Sequence, residues 1–157
     1  TSLKKIHIPE GVTKIKKSAF MYCEKLKTAV IADSVTELGN FTFMNCEKLK
    51  EVTLPADLET LPISFFYGCD RLKKVNNVEN LRCISLGALY KTKVKKEDLP
   101  DNLYFASYGN TIKSEQNTEN TEGMKITQDL WDATVTEDTV VWNEEAENQY
   151  LHLLFLL

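Results

Sequence analysis

A period of 23 residues constrains the fold of this chain more than any other feature of its sequence. Three cysteines have this spacing: Cys23, Cys46 and Cys69. Four leucines have it as well: Leu3, Leu26, Leu49 and Leu72. The four units align without gaps, and a unit this short cannot enclose its own apolar side. The pattern therefore predicts a solenoid, in which stacked units bury one continuous core.

Each unit also contains the pattern of a short, half-buried strand. Residues 6–8 and 52–54 alternate between inward and outward positions, and a proline ends each strand. A bulky pair such as Phe65 and Phe66 then fills the interior. We predict an α/β solenoid of 23-residue coils with a short parallel sheet, whose strands lie ~4.8 Å apart.

A family pattern accounts for these columns. Nine residues of the first unit fit this pattern: Leu3, Ile6, Ile8, Pro9, Val12, Ile15, Ala19, Phe20 and Cys23. The units resemble the BspA-like class of leucine-rich repeats, which read approximately L-x-x-I-x-I-P-x-x-V-x-x-I-G-x-x-A-F-x-x-C. The fourth unit departs from it, with Asn77 for the aliphatic residue, Val78 for the proline and Thr92 for the cysteine. It either ends the array or is adapted as a cap.

This resemblance carries expectations about location and function. Proteins of this class are typically exported or attached to the surface of bacteria and some protists, and they are linked to adhesion and to binding of host proteins. The chain begins inside a repeat and has no visible signal peptide. We interpret it as a processed chain or an excised segment, so the missing signal does not bear on export.

The chain divides into three parts. Residues 1–94 form the repeats, with coils that start near positions 3, 26, 49 and 72. Residues 95–123 form a degenerate cap and a polar loop, and residues 124–157 form a mainly β C-terminal segment or part of a further domain. The repeats have a net charge of +5 and the remainder of −9, which predicts mutual attraction between them.

The outward positions of the predicted sheet are the candidate binding surface. They are Lys5, His7, Thr28, Val30, Glu51, Thr53, Lys74 and Asn76. Solenoids commonly use such a face to bind partners. A solvated sheet, or one covered by the C-terminal segment, remains the alternative.

Two further columns have both a structural and a functional interpretation. The cysteines repeat at the structural period and not as C-x-x-C, so we interpret them as buried free thiols and not as a metal or redox set. Lysines follow the repeated leucines: Lys4, Lys27, Lys50 and Lys73. This column is either a solvated turn edge or a basic stripe that attracts sulfated glycans or an acidic protein.

The sequence offers little for catalysis. It has two histidines, no glycine-rich phosphate loop and no nucleophile motif, so we predict no catalytic residue, metal or cofactor. Stacking aromatics and long apolar runs are missing, so we predict neither nucleic-acid binding nor membrane insertion. The expected function is protein recognition or adhesion to host or extracellular-matrix proteins. The alternatives are a structural spacer and a noncatalytic glycan-targeting part of a larger enzyme.

Overall fold

The computed structural model describes residues 2–101, 103–106 and 124–125. In chain order its strands are β1 (Lys5–Ile8), β2 (Lys14–Ile15), β3 (Thr28–Ile31), β4 (Glu37–Leu38), β5 (Glu51–Thr53), β6 (Thr60–Leu61), β7 (Lys74–Asn76), β8 (Cys83–Ser85), β9 (Tyr104–Ala106) and β10 (Met124–Lys125). A single-turn 3₁₀ helix, Lys96–Asp98, is the one helical element of this described part.

The first sheet contains one strand from each of the four units. Its order is β1-β3-β5-β7, and all three pairings are parallel. The register equals the sequence period, because Ala29 lies opposite Ile6 on one side and Val52 on the other. Leu26, Leu49 and Leu72 are completely buried in one core. The predicted solenoid is therefore confirmed, although the near absence of helix from the described residues makes it a β-solenoid and not an α/β one.

Two further sheets, of two and four strands, are built from strands of two or three residues. The strands β2 and β4 pair in parallel, whereas β6, β8 and β9 form a separate parallel set that ends in the antiparallel β10. The backbone N–H of Gly39 donates to Ile15 O at 2.9 Å between the first two coils. Pro62 stands one period after Gly39 and has no N–H, so it cannot repeat this bond. This explains the break between β4 and β6.

A turn region contains another ladder of hydrogen bonds. Phe20, Phe43 and Phe66 each donate a backbone N–H to the next coil, at 2.9–3.0 Å. The path requires positive φ angles in two columns of stacked positions. These are Ser18, Phe41, Ser64 and Gly87, and Tyr22, Asn45, Gly68 and Lys91. Six of these eight residues are not glycine, so the stacking holds them in a backbone region that side chains disfavour.

The stack continues beyond the fourth unit with a shorter coil. Cys83 pairs with Tyr104, which is an offset of 21 residues instead of 23. Val94 is buried in the main core, and the 3₁₀ helix follows where the next strand of the first sheet is expected. The boundaries at residues 94 and 123 remain predictions. Of the predicted β C-terminal segment, only Met124–Lys125 falls within the described residues, and it is a strand.

Candidate functional site: the outer face of the first sheet

The eight predicted residues lie together in two rows across the first sheet. Strand pairing aligns the first row as Lys5, Thr28, Glu51 and Lys74. It aligns the second row as His7, Val30, Thr53 and Asn76. The residues between the rows, such as Ala29 and Val52, are buried, and successive side chains of a strand point to opposite faces. Both rows therefore lie on the outer face.

A polar network joins the last two strands of this face. Glu51 Oε1 accepts a hydrogen bond from Lys74 Nζ at 2.8 Å and another from Asn76 Nδ2 at 2.9 Å. Asn76 Nδ2 also donates to Thr53 Oγ1 at 3.2 Å. The bonds from Lys74 and then Asn76 lower the pKa of the Glu51 carboxyl. The carboxylate is therefore ionised at neutral pH, and four side chains of this half have a defined arrangement.

The first two strands present a different surface. Lys5, His7 and Val30 are exposed, and none of them has a hydrogen bond or ion pair with another side chain of the described residues. Val30 exposes 40% of its surface, which places an apolar side chain between polar neighbours. The face thus combines two halves. On β5 and β7 the polar side chains are held by hydrogen bonds to one another, and on β1 and β3 the exposed side chains include one apolar residue, Val30.

Side chains that the sequence did not single out fasten the turns beside this face. Asp33 Oδ1 accepts from the backbone N–H of Ala56 at 2.8 Å. Ser34 Oγ accepts from the N–H of Gly11 and donates to Val12 O. Each contact crosses one coil. In the sequence, these contacts are indicated only by polar residues that follow a strand and stand about one period from their backbone partners.

The cysteine column lies inside the coils. All four thiols are free and buried. Cys46 Sγ donates to Phe20 O at 3.2 Å, and Cys69 Sγ donates to Phe43 O at 3.1 Å. Among the described residues, no group of His, Cys, Asp and Glu is arranged to hold a metal ion. The same ranges contain no helix with the length and apolar character that crossing a membrane requires.

Comparison with known proteins identifies the architecture. Residues 1–114 match six copies of the family described as BspA type leucine rich repeat region. No curated protein matches the chain.

Three solved structures share the fold. A leucine rich cell surface protein from Faecalibacterium prausnitzii is 30% identical, with a TM-score of 0.54, and the match covers 64% of this chain and 27% of that one. A leucine rich repeat protein of T. pallidum is 25% identical, with a TM-score of 0.50, and the match covers 64% of this chain and 52% of that one. A leucine-rich repeat protein from Bacteroides ovatus is 24% identical, with a TM-score of 0.54, and the match covers 68% of this chain and 34% of that one. This likeness supports the fold alone.

The family match extends over most of the chain, and the described part of the matched region forms stacked coils. The chain spans only 27%, 52% and 34% of the three solved proteins. Leucine-rich repeats generally serve as protein-interaction modules and are typically non-catalytic. The chain belongs to the BspA-type leucine-rich repeat family.

Proposed function

We propose that this chain is a non-catalytic module that binds a protein partner through the outer face of the first sheet. The observation that carries the proposal is the alignment of eight outward side chains in two rows on one accessible face. The partner would meet the Glu51 network on the last two strands and Val30 on the strand beside it. The network needs little reordering on binding, which reduces the entropic cost of association.

The size of the face sets a condition on the partner. Four strands of three or four residues cover roughly 250 Å² at ordinary strand spacings. A stable protein interface buries about 800 Å² on each partner. The footprint must therefore extend over the adjoining turns, where Asp33 and Ser34 fasten one coil to the next.

The expected setting is an exported or cell-surface protein that adheres to host or extracellular-matrix proteins. The similar protein from Faecalibacterium prausnitzii is described as a cell surface protein, which supports this setting. The composition of the face supports protein recognition, because positive, negative and apolar side chains stand side by side. Such a mixture favours a partner with a complementary pattern over a uniformly charged one.

The test compares two double variants of equal charge on an array of purified extracellular-matrix and mucosal proteins. Val30→Glu/Thr53→Glu alters the second row of the face. Thr13→Glu/Thr36→Glu adds the same charge at exposed positions that precede β2 and β4. We expect the wild type and the control to capture the same proteins, and the face variant to lose them.

Circular dichroism and melting curves must show that both variants fold. Equal binding by the two variants would exclude the face as the binding surface. If the folded wild type captures no protein from the array, adhesion is excluded and the spacer role is favoured.

A further inference from the structure

Two columns of positive side chains run along the corner that leads into the first sheet. One column contains Lys4, Lys27, Lys50 and Lys73, and the other contains Lys25, Lys48 and Arg71. We call these seven residues the basic corner. In each full coil a completely buried leucine stands between the two bases, as Leu26 does between Lys25 and Lys27. The leucine points inward, and all seven bases are exposed.

Backbone hydrogen bonds hold the lysine positions in register from one coil to the next. Lys27 N donates to Lys4 O at 2.8 Å, Lys50 N to Lys27 O at 2.9 Å, and Lys73 N to Lys50 O at 3.2 Å. Parallel pairing spaces these positions ~4.8 Å apart, so the four lysines span about 14 Å. The spacing is a property of the fold and does not depend on side-chain conformation.

The basic corner is not neutralised by the ion pairs found among the described residues. The ion pairs found among the described residues join Lys14 to Glu37, Lys74 to Glu51 and Lys95 to Glu97, and none includes a residue of the corner. An acidic column, Glu24, Glu47 and Asp70, precedes it but supplies one carboxylate for each pair of bases. Stacked like charges repel one another. Binding of an anion that bridges the coils would relieve this repulsion.

The geometry favours one class of anion. A row of lysines whose backbones repeat at one even spacing matches a linear polymer whose charges also repeat, whereas a globular acidic protein presents a patch. Six of the seven residues are lysine, which acts as a flexible point charge and not as a bidentate fork. Single-stranded nucleic acid also needs successive stacking aromatics, and within residues 2–101 the one exposed large aromatic is Tyr22. We propose that the basic corner binds a linear sulfated polysaccharide along the axis of the solenoid.

The experiment uses a heparin octasaccharide as the probe and titration calorimetry as the measurement. Lys27→Gln/Lys50→Gln removes two charges from the centre of the corner. The matched control, Lys16→Gln/Arg82→Gln, removes two exposed charges next to β2 and β8. Neither pair belongs to the eight residues of the sheet face, so loss of glycan binding and loss of protein binding are separate results.

We expect the corner variant to bind about tenfold more weakly, from the counterion contribution of two lost contacts, and the control to bind nearly as the wild type does. Wild-type affinity should fall on the order of a hundredfold between about 50 mM and about 200 mM salt if four charges engage. Desulfated heparin should not bind. Equal weakening of both variants, equal binding of an oligo-dT of the same charge, or equal binding of a poly-glutamate peptide would each overturn the proposal.

Discussion

The thiol of Cys69 donates a hydrogen bond to the backbone carbonyl of Phe43, one coil earlier, at 3.1 Å. Cys46 makes the same contact with Phe20 at 3.2 Å. The 23-residue spacing of the cysteines thus serves packing, because each small side chain fills the interior and supplies a weak donor to the preceding coil. In the fourth unit Thr92 Oγ1 donates to Leu89 O of its own coil instead.

The burial of the Cys69 thiol predicts how stability depends on pH. Burial raises the pKa of the Cys69 thiol, so the folded chain keeps it protonated while the unfolded chain ionises it above about pH 8.5. Stability should therefore fall as the pH rises through and above that value, by up to about 1.4 kcal/mol per pH unit. Urea unfolding of the wild type and of Cys69→Ala at neutral and alkaline pH measures the difference. Parallel pH profiles would contradict the prediction.

The Glu51 network on the sheet face makes a separate prediction about one carboxyl. Its pKa lies below the ordinary glutamate value of about 4.3, with Lys74 as the first cause. The pair stabilises the fold at neutral pH, and this contribution is lost as the pH falls through the lowered pKa. Carboxyl NMR should show that Lys74→Gln raises the pKa of Glu51 and that Lys14→Gln, which breaks the pair with Glu37, leaves it unchanged. An unshifted Glu51 in the Lys74 variant would show that the network does not form.

The period alone predicted the register of the first sheet and the members of the candidate face. Residues 23 apart must stack when coils are identical, and alternation within a strand decides which of them point outward. The links from Glu51 to Lys74 and Asn76 depend on side-chain conformation across two strands, which periodicity does not contain. The 23-residue spacing also did not predict that the coil after the fourth unit is shorter than the others.

The turn region shows why the remainder could not be predicted. Phe41 has a φ of 61° and is buried with Met44 and Ile63 in a cluster separate from the main core. A phenylalanine disfavours this backbone conformation, so its local preference points away from the observed turn. The conformation is imposed by hydrogen bonds between coils, such as that from Phe41 N to Ile63 O at 2.9 Å.

Gly39 tests how closely the coils approach each other. A Cβ atom at this position would lie 2.2 Å from the backbone nitrogen of Lys17, which cannot move aside as a side chain can. Gly39→Ala should therefore destabilise the fold by about 3 kcal/mol, at the upper end of overpacking effects. Gly11→Ala is the control, because that position has a φ of 92° but nothing within 4 Å, and it should cost only about 1 kcal/mol. Equal losses in chemical unfolding would show that the close approach of the two coils does not require a glycine at position 39.

Phe43 tests whether the coils share one interior. Its ring is fully buried and stacks between Phe20 and Phe66, with centroids 5.4 and 5.8 Å away. Phe43→Ala should lower the free energy of unfolding by ~3–5 kcal/mol, because the cavity opens between two coils that cannot collapse independently. Phe20→Ala makes the same change in the same column at a half-buried position, and it should cost clearly less. Urea unfolding of both variants provides the measurement, and a loss below about 1 kcal/mol for Phe43→Ala would mean that the ring is not part of a common core.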